Sequence, residues 1–298
     1  MSSLATYCPS CGRALGPEQG AVCPQCLPAD LPPASRADAP PWSLASAFLV
    51  WLTSVGLTLV VPNVVVIFYV LLVDQSLVGA LRQGQLPPRV ALIFIISAFV
   101  AHVLTLAISW RVVTGGGERP FLATLGWGWV PQFRWAHAVG LAFLMLMVGS
   151  LFEKVLPHGE TELEKLLNIS TSVRVGVALL AVLTAPLVEE IVYRGILYSA
   201  LERARGRVVS ITVVALLFGA AHFHQYRESL AVIAAILLLS LVLTLLRAAT
   251  RKLLPCVATH LIFNGIQAVV IIVHPAKAPD LTPTKEAMLA ALHLLGLG

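Results

Sequence analysis

The chain has 298 residues, of which 58% are hydrophobic and only 12% are charged, and its formal net charge is +5. Soluble domains carry about 25% charged residues, so this composition excludes an ordinary soluble globular protein. The basic residues lie mainly in short loops between long apolar runs, where they orient a membrane protein, and nucleic-acid binding is therefore not expected.

Four cysteines precede the first apolar run as two Cys-x-x-Cys pairs. Such pairs, separated by a short turn-rich segment, supply four thiolates for one tetrahedral zinc, and a bound zinc lets so small a unit fold. A disulfide pair and a redox Cys-x-x-Cys are the alternatives; a cytoplasmic N-terminus disfavours the first, and no thioredoxin-like βαβ pattern surrounds the cysteines. We predict a zinc ribbon over residues 1–27, a candidate site for a protein partner, with structural zinc on Cys8, Cys11, Cys23 and Cys26.

A Pro- and Ala-rich linker is predicted over residues 28–42, and seven apolar runs follow it. Each run is near the roughly 20 residues that cross a bilayer. The first contains Pro62 and is long enough for two spans, but splitting it leaves pieces of marginal length, so we predict one kinked or tilted helix. The prediction is an all-α polytopic membrane bundle over 43–298, with spans at 44–73, 90–110, 136–156, 173–200, 208–222, 230–246 and 253–273. The apolar tail 283–298 remains an interfacial, re-entrant or eighth spanning segment.

Basic loops alternate with loops that lack basic clusters, which predicts the orientation of the bundle. Every second loop is Arg-rich if the N-terminus is cytoplasmic, and one loop on the other side is acidic. We expect an integral protein of a bacterial inner (plasma) membrane with a cytoplasmic N-terminus. Trp127, Trp129 and Trp135, just before the third span, are interpreted as anchors at the membrane interface, with a binding surface as the less favoured alternative.

The fourth apolar run contains three ionisable residues, Glu189, Glu190 and Arg194. Each costs at least about 2.5–3.5 kcal/mol near the bilayer centre, so they need partners, water or a function. Glu190 and Arg194 are spaced i, i+4 on one helix face, whereas Glu189 is turned about 100° away. One glutamate is therefore expected to be paired and the other to be free.

Polar residues in two later spans are expected to meet the free glutamate. Counting at about 1.5 Å per residue from the cytoplasmic basic layer places Glu189 and His222 at roughly 21 and 22 Å, and His260 and Asn264 at roughly 12 and 18 Å. The four side chains can converge near mid-membrane if their helices pack together. Pro186, one turn before Glu189, frees a carbonyl and can kink the helix so that water is admitted.

Three other residues in the spans are interpreted as ordinary core residues. A lone buried histidine is usually a satisfied core residue, which is our interpretation of His102 and His137, and Cys256 is interpreted as a small core residue.

Three motifs, in their order along the chain, resemble the motifs of a known family. They are Glu-Glu-x-x-x-Arg at Glu189, Glu190 and Arg194, Phe-x-x-x-His at Phe218 and His222, and His-x-x-x-Asn at His260 and Asn264. Together they are similar to the motifs of the CAAX protease and bacteriocin-processing family of intramembrane endopeptidases, over a core of about 173–273. The resemblance implies an all-helical membrane fold enclosing a conical cavity, and cleavage of a peptide bond by water.

Carried over motif by motif, the resemblance also implies roles for these residues. Glu189 with His222 would activate the water, His260 and Asn264 would form the oxyanion hole, and Glu190 with Arg194 and Phe218 would support the site. A base for water and donors for an oxyanion are what such hydrolysis needs. The same Glu, His, His and Asn set could instead hold a catalytic zinc. No His-Glu-x-x-His and no ligand spacing peculiar to zinc is present, so we favour the metal-free glutamate mechanism.

Two other classes of function fit buried ionisable residues. A proton-coupled transporter would be favoured by inverted repeats, which the sequence does not show. A non-catalytic membrane scaffold or immunity protein would tolerate the loss of Glu189, yet every motif position is intact. The expected substrate is a membrane-associated protein or peptide in contact with the lipid bilayer, and the sequence does not distinguish a prenylated protein from a bacteriocin leader or a signalling peptide.

Overall fold

The computed structural model describes Thr6–Tyr7, Ala14–Leu15 and residues 40–273. The chain divides into two units, Met1–Ala39 and Pro40–Gly298. In the first unit, β1 (Thr6–Tyr7) pairs antiparallel with β2 (Ala14–Leu15).

Three predictions concern segments that lie outside the described residues. They are the zinc ligands Cys8, Cys11, Cys23 and Cys26, the linker up to residue 39, and the apolar tail 283–298. These remain predictions.

The second unit is built from helices. Its α-helices are α1 (Leu44–Leu72), α2 (Leu77–Arg82), α3 (Pro88–Thr114), α4 (Phe121–Thr124), α5 (Trp135–Val155), α6 (Glu162–Leu167), α7 (Thr171–Leu183), α8 (Ala185–Glu189), α9 (Tyr198–Arg205), α10 (Arg207–Tyr226), α11 (Leu230–Thr250) and α12 (Leu254–Val273). A π-helix, Glu190–Leu197, connects α8 to α9.

Within the described ranges, seven helical segments are long and apolar enough to cross a membrane, which confirms the predicted number. They are α1, α3, α5, the composite Thr171–Arg205, α10, α11 and α12. The chain is thus an all-α integral membrane protein over this unit. Several spans extend beyond the predicted apolar runs because backbone hydrogen bonding continues into polar residues until a cap stops it. Gly206, at φ 82°, ends the fourth span in this way.

The first span is a single helix, as predicted, with Pro62 inside α1. Its second half packs against α3, where Val66 and Val70 of α1 share an apolar cluster with Val90 of α3. A short linking helix, α2, lets the chain reverse, so α1 and α3 are antiparallel neighbours. These two helices precede the three motifs in sequence but flank the segment that carries the glutamates.

Small residues bring the later helices close together. A Cβ on Gly219 of α10 would lie 2.5 Å from Cδ2 of Leu237 on α11, so a larger residue there would require the Leu237 side chain to shift. Ala138 of α5 packs in one cluster with Ala258 of α12. Close contact through small side chains is how helices associate in lipid, where burial of apolar surface gives little driving force.

The segment before α1 is hydrogen-bonded to the fourth span, which carries both glutamates. The indole Nε1–H of buried Trp42 donates to the carbonyl of Ile196 in the π-helix (3.0 Å). Arg203 of α9 donates to the carbonyls of Pro40 (2.9 Å) and Trp42 (3.0 Å). Residues 40–42 thus fasten the first span to the centre of the bundle.

Trp42→Phe is expected to lower the free energy of unfolding by about 1–3 kcal/mol, because it leaves the Ile196 carbonyl buried without its donor. Thermal unfolding of the purified protein in detergent measures the effect. Trp110→Phe is the matched control, since Trp110 is exposed, and it should change stability by no more than about 0.5 kcal/mol. Equal effects of the two substitutions would contradict a specific role for the Trp42 hydrogen bond.

Candidate active site

The fourth span is not a regular α-helix where it carries the glutamates. α7 ends at Leu183, Pro186 occupies the first turn of α8, and the π-helix begins at Glu190. The N–H of Tyr198 donates to the carbonyl of Tyr193, five residues earlier, which is the π pattern. The sequence-based assumption of α-geometry is therefore wrong over Glu190–Leu197.

The π-helix lies inside the bundle, and all eight of its residues are buried. The hydrophobic period of the sequence did not indicate the widening. Long stretches of π-helix are rare, and π-turns are frequent at functional sites.

Glu190 and Arg194 form a fully buried ion pair. Nη1 of Arg194 donates to Oε1 of Glu190 (2.9 Å), and both side chains are 0% exposed. Nη2 of Arg194 donates to the backbone oxygen (2.9 Å) and to Oγ (2.8 Å) of Ser240, and Nε donates to Oγ1 of Thr244 (3.3 Å). The guanidinium also lies over the ring of Phe218, 4.8 Å from its centroid. Arg194 therefore fastens the π-helix to α10 and α11.

His260 lies between the two glutamates. Its Nδ1 is 2.8 Å from Oε1 of Glu190, and its Nε2 is 3.7 Å from Oε2 of Glu189. An ionised carboxylate only accepts hydrogen bonds, so Nδ1 carries the proton of this bond. In neutral His260 the Nε2 atom is then an acceptor, and it becomes a donor only in the imidazolium.

His222 approaches Glu189 from α10. Its Nδ1 lies 2.8 Å from the carbonyl of Phe218, which also only accepts, so Nδ1 donates. Its Nε2 is 3.8 Å from Oε1 of Glu189. The His222 ring is stacked with two rings on the same helix. Phe218, four residues earlier, is 4.5 Å away between centroids, and Tyr226, four residues later, is 6.4 Å away. These contacts hold the imidazole plane so that Nε2 faces the carboxylate.

Glu189 differs from its neighbour in exposure. The side chain of Glu189 is 22% exposed and that of His222 is 23% exposed, whereas that of His260 is 3% exposed. The structure thus separates a buried, paired glutamate from an accessible one that faces two imidazoles. Glu189, His222 and His260 are brought together from three different spans.

Asn264 lies one turn beyond His260 on α12 and has a different partner. Its Nδ2 donates to the carbonyl of Ala181 (2.8 Å), close to the break between α7 and α8. The amide has a second N–H, which that bond leaves available. Asn264 therefore stabilises the broken helix, and any contact with a reacting oxygen would use the remaining proton.

Sequence reasoning missed several residues that support this site. Ser240 and Thr244 are spaced i, i+4 in an otherwise apolar span, and this polar pair was a usable signal. His102 of α3 was interpreted as a core residue; it is buried, and its Nδ1 lies 2.8 Å from Oγ1 of Thr184 at the helix break. Trp42 had no local signal, because its partner is 154 residues away in sequence.

The donor atoms of the site also bear on metal binding. Across the described part of the chain, no three His, Cys, Asp or Glu side chains are grouped closely enough to hold a metal ion. The two Nε2 atoms lie 3.8 and 3.7 Å from different oxygens of Glu189, slightly farther than the roughly 3.3–3.4 Å that separates two ligand atoms of one tetrahedral zinc with bonds of about 2.0–2.1 Å. Zinc binding would require these side chains to draw together only slightly.

Comparison with protein families identifies the segment that carries these residues. Residues 171–266 match the family model described as Type II CAAX prenyl endopeptidase Rce1-like. This Rce1-like segment is about a third of the chain, and it includes both glutamates, Arg194, Phe218, His222, His260 and Asn264. It supports an intramembrane protease at the level of the family. The comparisons with curated proteins and with solved structures gave no significant match.

Proposed function

We propose that this protein is an intramembrane endopeptidase that hydrolyses a peptide bond with a glutamate-activated water. The observation that supports it most is the position of Glu189, accessible and facing the Nε2 atoms of two histidines whose Nδ1 atoms are already engaged. The Rce1-like match over 171–266 supports the same class of reaction.

The hydrogen bonds explain how a water would be activated. With Nδ1 of His222 donating to the Phe218 carbonyl, Nε2 of the neutral ring can accept a hydrogen bond from one O–H of a water, and Glu189 can accept one from the other O–H. A water that donates both protons to these acceptors directs a lone pair towards the substrate carbonyl. Glu189 takes one proton as the water oxygen attacks the carbonyl carbon, and returns it to the amine nitrogen as the C–N bond breaks.

The oxyanion of the tetrahedral intermediate requires hydrogen-bond donors. Asn264 has one N–H beyond its bond to Ala181, and His260 donates from Nε2 when it is an imidazolium. Glu190 pairs with that imidazolium through Nδ1 and fixes its ring. Donors held in this way stabilise the charge that develops in the transition state.

Zinc catalysis remains the alternative chemistry at the same residues. His260 with Glu190 behind its Nδ1 resembles a zinc ligand oriented by a carboxylate, and Glu189 and His222 would complete the set. A zinc ion there would polarise the carbonyl and the water. The metal-free mechanism that we propose is favoured by the sequence, which has no His-Glu-x-x-His and no ligand spacing peculiar to zinc.

The proposed substrate is a membrane-associated protein or peptide, and comparative proteomics tests the proposal in the native membrane. Membranes containing wild-type protein should accumulate cleavage products, with new termini, that are missing from membranes containing Glu189→Gln at equal abundance. Identical peptide termini in the two samples would contradict the endopeptidase assignment.

We also propose that Cys8, Cys11, Cys23 and Cys26 hold one structural zinc that bond cleavage does not need. Four thiolates close the coordination shell and leave no position for water. Deleting residues 1–38 removes all four and keeps Pro40 and Trp42, which Arg203 binds.

That deletion should remove about one zinc per chain and leave peptide hydrolysis measurable. Elemental analysis by plasma mass spectrometry and an activity assay give the two readings. Unchanged zinc after the deletion would locate the metal in the membrane unit and overturn the ribbon assignment.

A further inference from the structure

An open pocket lies where α5 and α12 begin, away from Glu189. Its volume is about 600 Å³, and it is lined by Trp129, Arg134, Trp135, Ala136 and Leu254. α5 and α12 pack side by side through Ala138 and Ala258. These alanines lie within four residues of the first residue of each helix. The pocket is therefore at the end of two adjacent spans, at the level where a bilayer meets water.

The aromatic wall of the pocket is preorganised. The indole rings of Trp129 and Trp135 stack at 5.1 Å with an angle of 29° between their planes, and Phe133 contacts Trp129 edge-on at 5.7 Å. Trp135 is nevertheless 61% exposed. Indoles fixed in this way and left open are suited to the boundary between acyl chains and headgroups.

The charge around the pocket is of one sign. The walls of the pocket come from residues 119–152 and 229–279, and these stretches contain no Asp or Glu. They do contain the cations Arg134 and Lys252. The stem of Lys252 packs beside Gly128, next to Trp129, with Nζ 4.0 Å from the position of a Cβ there. Among the described residues, no ion pair joins Arg134 or Lys252 to a carboxylate.

The neighbouring arginines, Arg247 and Arg251, already have partners within the protein. Arg247 donates to the carbonyls of Leu125 (3.1 Å) and Arg251 (3.0 Å), the C-cap residues of α4 and α11, and Arg251 is 3.9 Å from Glu202. Arg134 and Lys252 thus remain as the two cations beside an apolar, aromatic pocket. A ligand that satisfies both parts carries a negative headgroup and a hydrocarbon body.

We propose that this pocket binds one anionic phospholipid of the leaflet on the side of the basic loops. The phosphate lies at Arg134 and Lys252, and an acyl chain passes over Trp135, Ala136 and Leu254. A lipid bound there covers the junction of α5 and α12, the helix that carries His260. The proposal does not depend on peptidase activity.

Tryptophan quenching in vesicles tests the proposal with the full chain. Protein is reconstituted in phosphatidylcholine containing increasing fractions of phosphatidylglycerol with brominated acyl chains, which quench indoles in contact with them. Brominated phosphatidylcholine at the same fractions gives the unspecific background. Trp129→Phe/Trp135→Phe protein identifies the share of the signal that comes from the pocket.

Phosphatidylglycerol should quench the pocket signal at lower fractions than phosphatidylcholine does. In Arg134→Gln/Lys252→Gln the fraction needed for half-quenching should rise about fivefold for each basic residue removed. The control Arg119→Gln/Arg207→Gln, which loses two exposed arginines and the same charge, should keep the wild-type curve.

Three outcomes would overturn the proposal. They are equal quenching by the two lipids, a wild-type curve in the Arg134 and Lys252 variant, and the same loss in the control. Loss of lipid quenching on adding glycerol phosphate at millimolar concentration would instead make this a site for a soluble phosphate.

Discussion

Replacing Glu189 with glutamine should lower peptidase turnover by about 10²- to 10⁴-fold while the protein remains folded. Glutamine keeps the shape of the side chain but cannot take a proton from water. Glu189 is 22% exposed, and its oxygens are no closer than 3.7 Å to either imidazole, so folding depends little on its charge. Purified protein assayed for kcat and for thermal midpoint measures both parts of the expectation.

The adjacent residue provides a matched control with the same chemical change. Glu190→Gln removes the carboxylate that pairs with Arg194 and His260 and leaves a buried guanidinium without a counter-charge. Breaking a buried ion pair in this way costs about 3–5 kcal/mol, so Glu190→Gln should reduce stability where Glu189→Gln does not. Glu189→Gln protein that retains more than about a tenth of wild-type turnover would contradict the role of base.

The membrane fold could be predicted from sequence because lipid imposes a simple rule. A span needs about 20 apolar residues, and only helices satisfy their own backbone there, so seven apolar runs gave seven helices. The prediction that the run around Pro62 forms one helix was also correct, because a proline inside a membrane span need not end the helix. The ends were less predictable because caps such as Gly206, rather than hydropathy, determine them.

The sequence also allowed the prediction that the residues of the candidate site come together. Helical spacing distinguished Glu190, paired with Arg194, from Glu189, and a count of residues from the basic layer put Glu189 and His222 at one depth. The count used the α-helical rise, although a π-helix lies between Glu189 and Arg203. The catalytic roles given to these residues remain predictions.

Other parts of the site depend on contacts between distant segments and were not predictable. The hydrogen bond from Trp42 to Ile196 and the position of His260 beside Glu190 join segments far apart in the chain, and the sequence carries no signal for either. It also carried no signal for the π-helix Glu190–Leu197. The spacing of His260 and Asn264 predicted that they point the same way. It gave no indication that Nδ1 of His260 serves Glu190 or that Asn264 serves the carbonyl of Ala181.

Asn264→Ala should lower kcat by about 10²- to 10³-fold with little change in KM, because an oxyanion donor acts chiefly in the transition state. The bond to Ala181 gives Asn264 a structural role as well, so thermal unfolding must accompany the kinetics. If stabilising Ala181 were its whole role, the thermal midpoint would fall and the loss of kcat at a temperature well below that midpoint would be small.

His260→Ala decides between the two chemistries, since His260 serves both an oxyanion hole and a zinc site. In the metal-free mechanism, its Nε2 donates as an imidazolium held by Glu190, and the substitution should lower kcat by about 10²- to 10³-fold without changing bound metal. The measurement is made in protein lacking residues 1–38, so that the predicted ribbon contributes no zinc. Stoichiometric zinc in that parent, lost on His260→Ala together with activity, would overturn the metal-free mechanism.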